Sequence, residues 1–177
     1  STTSFTRLRL AQVASALALV AGTARADLNP DWIAQLPVGS NLSAGLWAMV
    51  VDAGGVTYVT GTADSSTTLD VITAAFGPDG VLRWSQTYNG PGNWADQGRA
   101  VALGPGGALY VAGNTPDPLS FANVLLLEYD RASGNLLNAI QYSSGPGISE
   151  YGGSVATDAQ GNVYVGGGTV GDGSDAM

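Results

Sequence analysis

The sequence predicts an all-β chain built from repeated four-stranded units. Three observations carry that expectation. Tyr58-Val59-Thr60-Gly61, Tyr110-Val111-Ala112-Gly113 and Tyr164-Val165-Gly166-Gly167 recur at spacings of 52 and 54 residues, the signature of a repeat architecture. Short runs rich in Val, Thr, Tyr and Phe lie between Gly, Pro, Asp and Asn, the pattern of strands joined by tight turns. Glycine accounts for 26 of the 177 residues, about twice its usual share, as a chain with many turns requires.

The first 26 residues read as an address rather than as part of the fold. Arg7 and Arg9 precede an apolar run, Leu10 to Ala21, followed by Ala24-Arg25-Ala26. Basic region, hydrophobic region and A-x-A site stand in the order of a secretory leader. An amphipathic helix fits less well, because only Gln12 and Ser15 interrupt the run and no polar face exists. The run is too short to cross a bilayer, so no membrane span is expected. Cleavage after Ala26 would leave three arginines against all fourteen acids. Residues 27–44 form a lead-in segment, and residues 45–177 form the repeat region, which stops inside its third full repeat.

In the first full unit the expected strands are Ala48–Val51, Val56–Thr62, Asp70–Phe76 and Val81–Tyr88. Gly54-Gly55 joins the first two, and Asp79-Gly80 the last two, by turns that need a positive φ. The second unit repeats the pattern. Ala100 to Tyr110 lies over Ser154 to Tyr164, and Gly106-Gly107 and Gln160-Gly161 take the turn. Tyr129-Asp130-Arg131-Ala132-Ser133-Gly134 corresponds to Phe76-Gly77-Pro78-Asp79-Gly80 with one residue inserted; Tyr88 pairs with Tyr142 and Gly98 with Gly152. Val124-Leu125-Leu126-Leu127 is apolar on both faces, which suits a sheet covered on both sides.

Units of this size and strand number, each needing a neighbour on either face, describe β-propeller-type blades. Residues 27–177 hold fewer than three units, whereas a ring takes at least about four blades. The expectation is therefore about three partial or complete blades in an incomplete ring, with further blades supplied by a longer parent chain. An open solenoid is the alternative.

The pattern G-x-x-Y-V-x-G-x-T, then an aromatic with Asp and Gly, then a strand ending in Tyr, resembles the bacterial SBBP-type β-propeller repeat. Gly55 to Thr62, Phe76 to Tyr88, Gly107 to Thr115, Tyr129 to Tyr142 and Gly161 to Thr169 carry the likeness. It implies a secreted, periplasmic or surface-attached bacterial protein. Asn138 stands where Trp84 does one unit earlier, and Ile148 where Trp94 does.

Composition narrows the chemistry. The sequence has no cysteine, histidine or lysine, so thiol nucleophiles, His-dependent triads, His/Cys metal sites and Schiff bases are excluded from this stretch. A net charge of −8 argues against nucleic acid as a partner. Asp130-Arg131-Ala132-Ser133-Gly134 is similar to a quinoprotein docking stretch, but it reads better as a hairpin turn. Asp64 and Asp70, with Asp172 and Asp175 in the corresponding place of the third unit, are weak calcium candidates; no other cofactor is expected. Asp96 and Glu150 are repeat equivalents that could face each other across a glycosidic bond, although a repeated acid is more simply structural. Trp84 belongs to the core, and Trp94, in a Gly/Asn/Pro-rich loop, is the surface candidate for a ligand. The functional expectation is an exported module with a structural, adhesive or ligand-presenting role, no catalysis in this segment, and a surface protein or glycan as partner. The alternative is the N-terminal part of a propeller enzyme, a quinoprotein-like oxidoreductase or a carbohydrate-active hydrolase or lyase.

Overall fold

The computed structural model describes residues 6–13, 16–21, 26–36, 44–65, 68–117 and 120–170. Their secondary structure is β-strand throughout, apart from one 3₁₀ turn at Pro105–Gly107. The strands in chain order are β1 (Thr6–Val13), β2 (Ala16–Ala21), β3 (Ala26–Ala34), β4 (Ala44–Val51), β5 (Thr57–Asp64), β6 (Leu69–Phe76), β7 (Leu82–Tyr88), β8 (Gln97–Leu103), β9 (Ala108–Asp117), β10 (Ser120–Asp130), β11 (Leu136–Tyr142), β12 (Ser149–Thr157) and β13 (Val163–Val170).

The four strands expected in the first full unit are β4 to β7, paired in chain order as an antiparallel sheet. The second unit repeats it: β8–β9, β9–β10 and β10–β11 are all antiparallel neighbours. The third unit contributes β12 and β13, also antiparallel. It joins the second through one parallel pair, Ala122 with Ser149, so β8 to β13 count as a six-stranded sheet. No closed ring is formed by the described residues.

The first 34 residues pair as strands where they are described. β1 and β2 form a hairpin, and β3 lies parallel to β1. Residues 1–5, 14–15 and 22–25 of that region lie outside the described residues. The lead-in then covers the first full sheet. Leu36 is buried with Ala44, Val59, Ala63, Ile72, Ala74 and Phe76. Trp32 stacks on Phe76 with ring centroids 6.2 Å apart.

A second core lies on the opposite face of that sheet. There Tyr58, Val71, Ala75 and Trp84 meet Leu109, Val111, Leu125, Leu127 and Tyr129 of the next unit. The period of two explains the division: Val59, Ile72, Ala74 and Phe76 face one way, Tyr58, Val71 and Ala75 the other. Each fully buried valine, isoleucine or phenylalanine among them contributes about 1.5–3 kcal/mol relative to exposure. Trp84 ties the two sheets by more than area. Its Nε1 donates to the Arg131 carbonyl at 3.0 Å, and its ring stacks on Tyr129.

The recurrent Tyr-Val-x-Gly has a separate cause at each end. The tyrosine hydroxyl closes the turn before it: Tyr58 donates to Asp52 and Tyr164 to Asp158, at 3.3 and 2.9 Å. In the second unit Gly104 replaces that aspartate, and Tyr110 donates instead to Glu128. The glycine faces a β-bulge. Register shifts fall between Leu46 and Ala48, Gly98 and Ala100, and Gly152 and Ser154, opposite Gly61, Gly113 and Gly167. At each, a Cβ would overlap the carbonyl oxygen of Gly45, Gln97 or Tyr151. A side chain there would push two hydrogen-bonded strands apart.

This sets a test of packing against backbone conformation. Gly113 is closed in by backbone, whereas a Cβ at Gly106 meets nothing within 4 Å despite a φ of +68°. Gly113→Ala should cost at least about 3 kcal/mol, the upper range of overpacking. Gly106→Ala should cost about 1 kcal/mol, the expense of a left-handed alanine. Urea denaturation of both variants checks the order; equal costs would remove the bulge from the account.

Candidate functional site

Two side-chain groups stand out where successive units meet: a pair of buried acids and a column of side chains on the first strands. Both sit at places the repeat defines.

Asp96 and Glu150 are almost fully buried, at 0% and 1% exposure. Each latches the connector that leads into its own unit. Asp96 Oδ2 accepts from the Gly90 N–H at 2.6 Å, and Glu150 accepts from the Ser144 N–H at 2.9 and 3.1 Å. Gly90 and Ser144 each follow a repeat-equivalent tyrosine by two residues, so the latch is the same device used twice. The Asp96 backbone N–H also donates to the Leu69 carbonyl at 2.7 Å, fastening the connector to the preceding sheet. Burial pushes the Asp96 carboxyl above the usual carboxylate range; the Gly90 N–H and the nearby Thr115 hydroxyl pull against this, and the neighbouring Asp70 adds to the rise. The contact with Thr115 is not a well-formed hydrogen bond, since Thr115 Oγ1 and Asp96 Oδ1 both stay unpartnered within the fold. Each acid is thus tied to its own connector by the same kind of bond.

The other candidates are distributed as follows. Asp130 Oδ1 accepts from the Ser133 N–H and Oγ at 2.7 and 2.6 Å, and Gly134 takes a φ of +77°, so this stretch is a hairpin turn. Trp84 is core, with 8% exposure, and Trp94 is open to solvent at 59%. Asp70 is buried and accepts from Thr68 Oγ1 at 3.0 Å. It lies opposite Ala63, beside the pair of Asp64 with Leu69. Asp172 and Asp175 lie outside the described residues. No group of three or more His, Cys, Asp or Glu side chains among the described residues is placed to share a metal ion. No helix there is long and apolar enough to cross a membrane.

The column on the first strands was not singled out by the sequence. β8 packs beside both β4 and β12, which brings the bulge positions of successive units together. Trp47 and Arg99 are the bulged residues of β4 and β8. Trp47 Nε1 donates to Thr62 Oγ1 at 3.3 Å, and Arg99 Nε donates to Asn114 Oδ1 at 3.0 Å. Thr62 and Asn114 each directly follow the recurrent glycine, so this too is one interaction repeated. Arg99 Nη2 donates further to Gln97 Oε1 at 2.6 Å. The guanidinium carbon lies 5.6 Å from the Trp47 ring centroid and 5.6 Å from that of Tyr151, within cation–π range of both. The available signal was spacing alone. Residues 47 and 99 stand 52 apart, as Tyr58 and Tyr110 do, but nothing in the residue types announces a bulge.

No protein-family model matches this chain, and no curated protein matches it at a significant level.

The raised Asp96 carboxyl predicts a pH dependence. A folded-state value above the unfolded one means that folding takes up a proton. Stability from this group is full below the ordinary carboxyl range and is lost as pH rises through the folded value. Asp96→Asn keeps an acceptor for the Gly90 N–H without a buried charge, so it should melt at least as high as wild type at pH 7. Its advantage should shrink as pH falls toward 4. Asp96→Ala, lacking the acceptor, should lose stability at both values. Melting curves at several pH values read all three, and an Asn variant that tracks Ala would show that the charge holds the latch.

Proposed function

We propose that this chain belongs to an exported bacterial β-propeller of SBBP type and that it acts as a structural or ligand-presenting module. Further four-stranded units of the parent protein complete the ring. Export rests on the leader-like order of residues 1–26. The display role rests on residues 63–69 and 116–122, which span the passage from the second strand to the third and include the strand ends. They differ in sequence between units, while the sheets that hold them repeat.

The observation that carries the reading is a difference between two equivalent faces. In the first unit, Val71 and Ala75 are 0% and 1% exposed, in one core with Leu109, Val111, Leu125, Leu127 and Tyr129 of the next unit. In the second unit the corresponding face includes Val124, Leu126, Ile140 and Tyr142, which line an apolar groove with Tyr151 and Val165. Ile140 is 50% exposed there and Tyr142 61%. Such a face asks for one more pair of strands, which the third unit's own third and fourth strands would supply.

Two outcomes are expected. The parent reading frame should run on through about three to five more units of this kind, and a stop codon directly after Met177 would sink the single-chain ring. The chain on its own should self-associate through the groove. Ile140→Thr with Tyr142→Ser should shift it toward monomer in sedimentation velocity, without lowering its melting temperature by more than about 5 °C.

A further inference from the structure

We propose that Arg99, flanked by Trp47 and Tyr151, is a binding site for a carboxylate carried on a sugar ring, a uronate. The site rests on residues 47–151 alone, so its failure would leave the repeat reading as it stands.

Arg99 has neutral partners only. Asn114 and Gln97 take Nε–H and one Nη2–H, leaving three of the five guanidinium N–H groups. No carboxylate reaches it among the described residues, in contrast to Arg83, which pairs with Asp79 at 3.2 Å. That is unexpected in a chain with fourteen acids and six basic residues. Asn114 is itself 9% exposed, so the neutral acceptor that orients the fork sits on a packed strand. A guanidinium so held presents a flat row of donors, the geometry that matches a planar carboxylate by two parallel bonds.

The surroundings favour a ring as the bearer of that carboxylate. Trp47 is 57% exposed and Tyr151 40% exposed, and both flank the guanidinium. Exposed aromatic faces beside a charged anchor suit the C–H face of a pyranose. The column also stops here. Where Trp47 and Arg99 stand in the first two units the third has Gly153, and where Thr62 and Asn114 stand it has Gly168. The Tyr151 ring lies against Gly168, where a Cβ would meet its hydroxyl at 2.6 Å. The third unit thus meets Arg99 with the Tyr151 ring and not with a bulged side chain of its own. Bulges recur where a strand must re-aim a side chain toward a site.

The test uses the full chain at micromolar concentration and low salt, with sodium trigalacturonate as probe and maltotriose and sodium sulfate as controls. Intrinsic tryptophan fluorescence and the Arg99 Nε–H resonance are followed together. Saturable binding with a dissociation constant of roughly 0.1–1 mM is expected, shifting the Arg99 resonance and weakening with added salt. Maltotriose should not bind. Arg99→Gln should lose at least tenfold in affinity. Arg99→Lys should lose nearly as much, because an ammonium cannot form the fork. Trp47→Leu should lose about three- to tenfold, and it carries the test should the Arg99 variants fail to fold. Absence of binding by the wild type, unchanged affinity in a folded Arg99→Gln or Trp47→Leu, or sulfate binding as tightly as the uronate would each overturn the proposal.

Discussion

Everything in this chain depends on the burial of a sheet on both faces. A four-stranded sheet with Val59, Ile72 and Phe76 on one side and Tyr58, Val71 and Ala75 on the other has no face to give to water. Neither core could persist without its cover, the lead-in with Trp32 and Leu36 on one side and the second unit on the other. The arrangement of units follows from that need. The latches, turns and bulges set how the sheets meet; the apolar faces require that they meet.

How closely they meet is a matter of small residues. Gly98 sits where a Cβ would overlap the Thr60 hydroxyl, and at Gly152 one would lie 3.1 Å from the Gly113 carbonyl oxygen. The first strands of the second and third units can therefore slide close under the preceding sheet. The bulge one residue later turns the next side chain away from that contact. In β8 both constraints, close approach at Gly98 and a redirected side chain at Arg99, are met by neighbouring residues.

Much of this was legible in the sequence, and the rest was hidden for identifiable reasons. The strands of the first full unit were placed to within about four residues, because Gly, Pro and Asp punctuate them and side-chain character marks their interiors. Trp84 was read as core, and the Asp130 turn as a turn, from local chemistry alone. The bulges were invisible, since an extra residue in one strand leaves no mark in a single-chain pattern; the recurrent glycines were noted but not their cause. Arg99 was passed over for the same reason, being an ordinary arginine until β4, β8 and β12 lie together. The acid latches were half legible. Their equivalence could be read from the repeat, but their burial required the connector to fold over them. The pairing of β1 with both β2 and β3 could not be anticipated from an apolar run that reads as a leader.

The nearest-neighbour character of the units bears on how such a chain acquires its structure. Pairing within each unit joins strands adjacent in sequence, so each sheet can form from a short stretch with little loop-closure entropy. Contacts between units reach back one unit, as when Thr157 Oγ1 donates to the Leu103 carbonyl. A chain emerging from its N-terminus would thus add sheets in order, each one templated by the last, and at any moment only one apolar face would lack a cover. Growth of this kind keeps the aggregation hazard constant as the protein lengthens, and units can be gained or lost by duplication without redesigning those already in place.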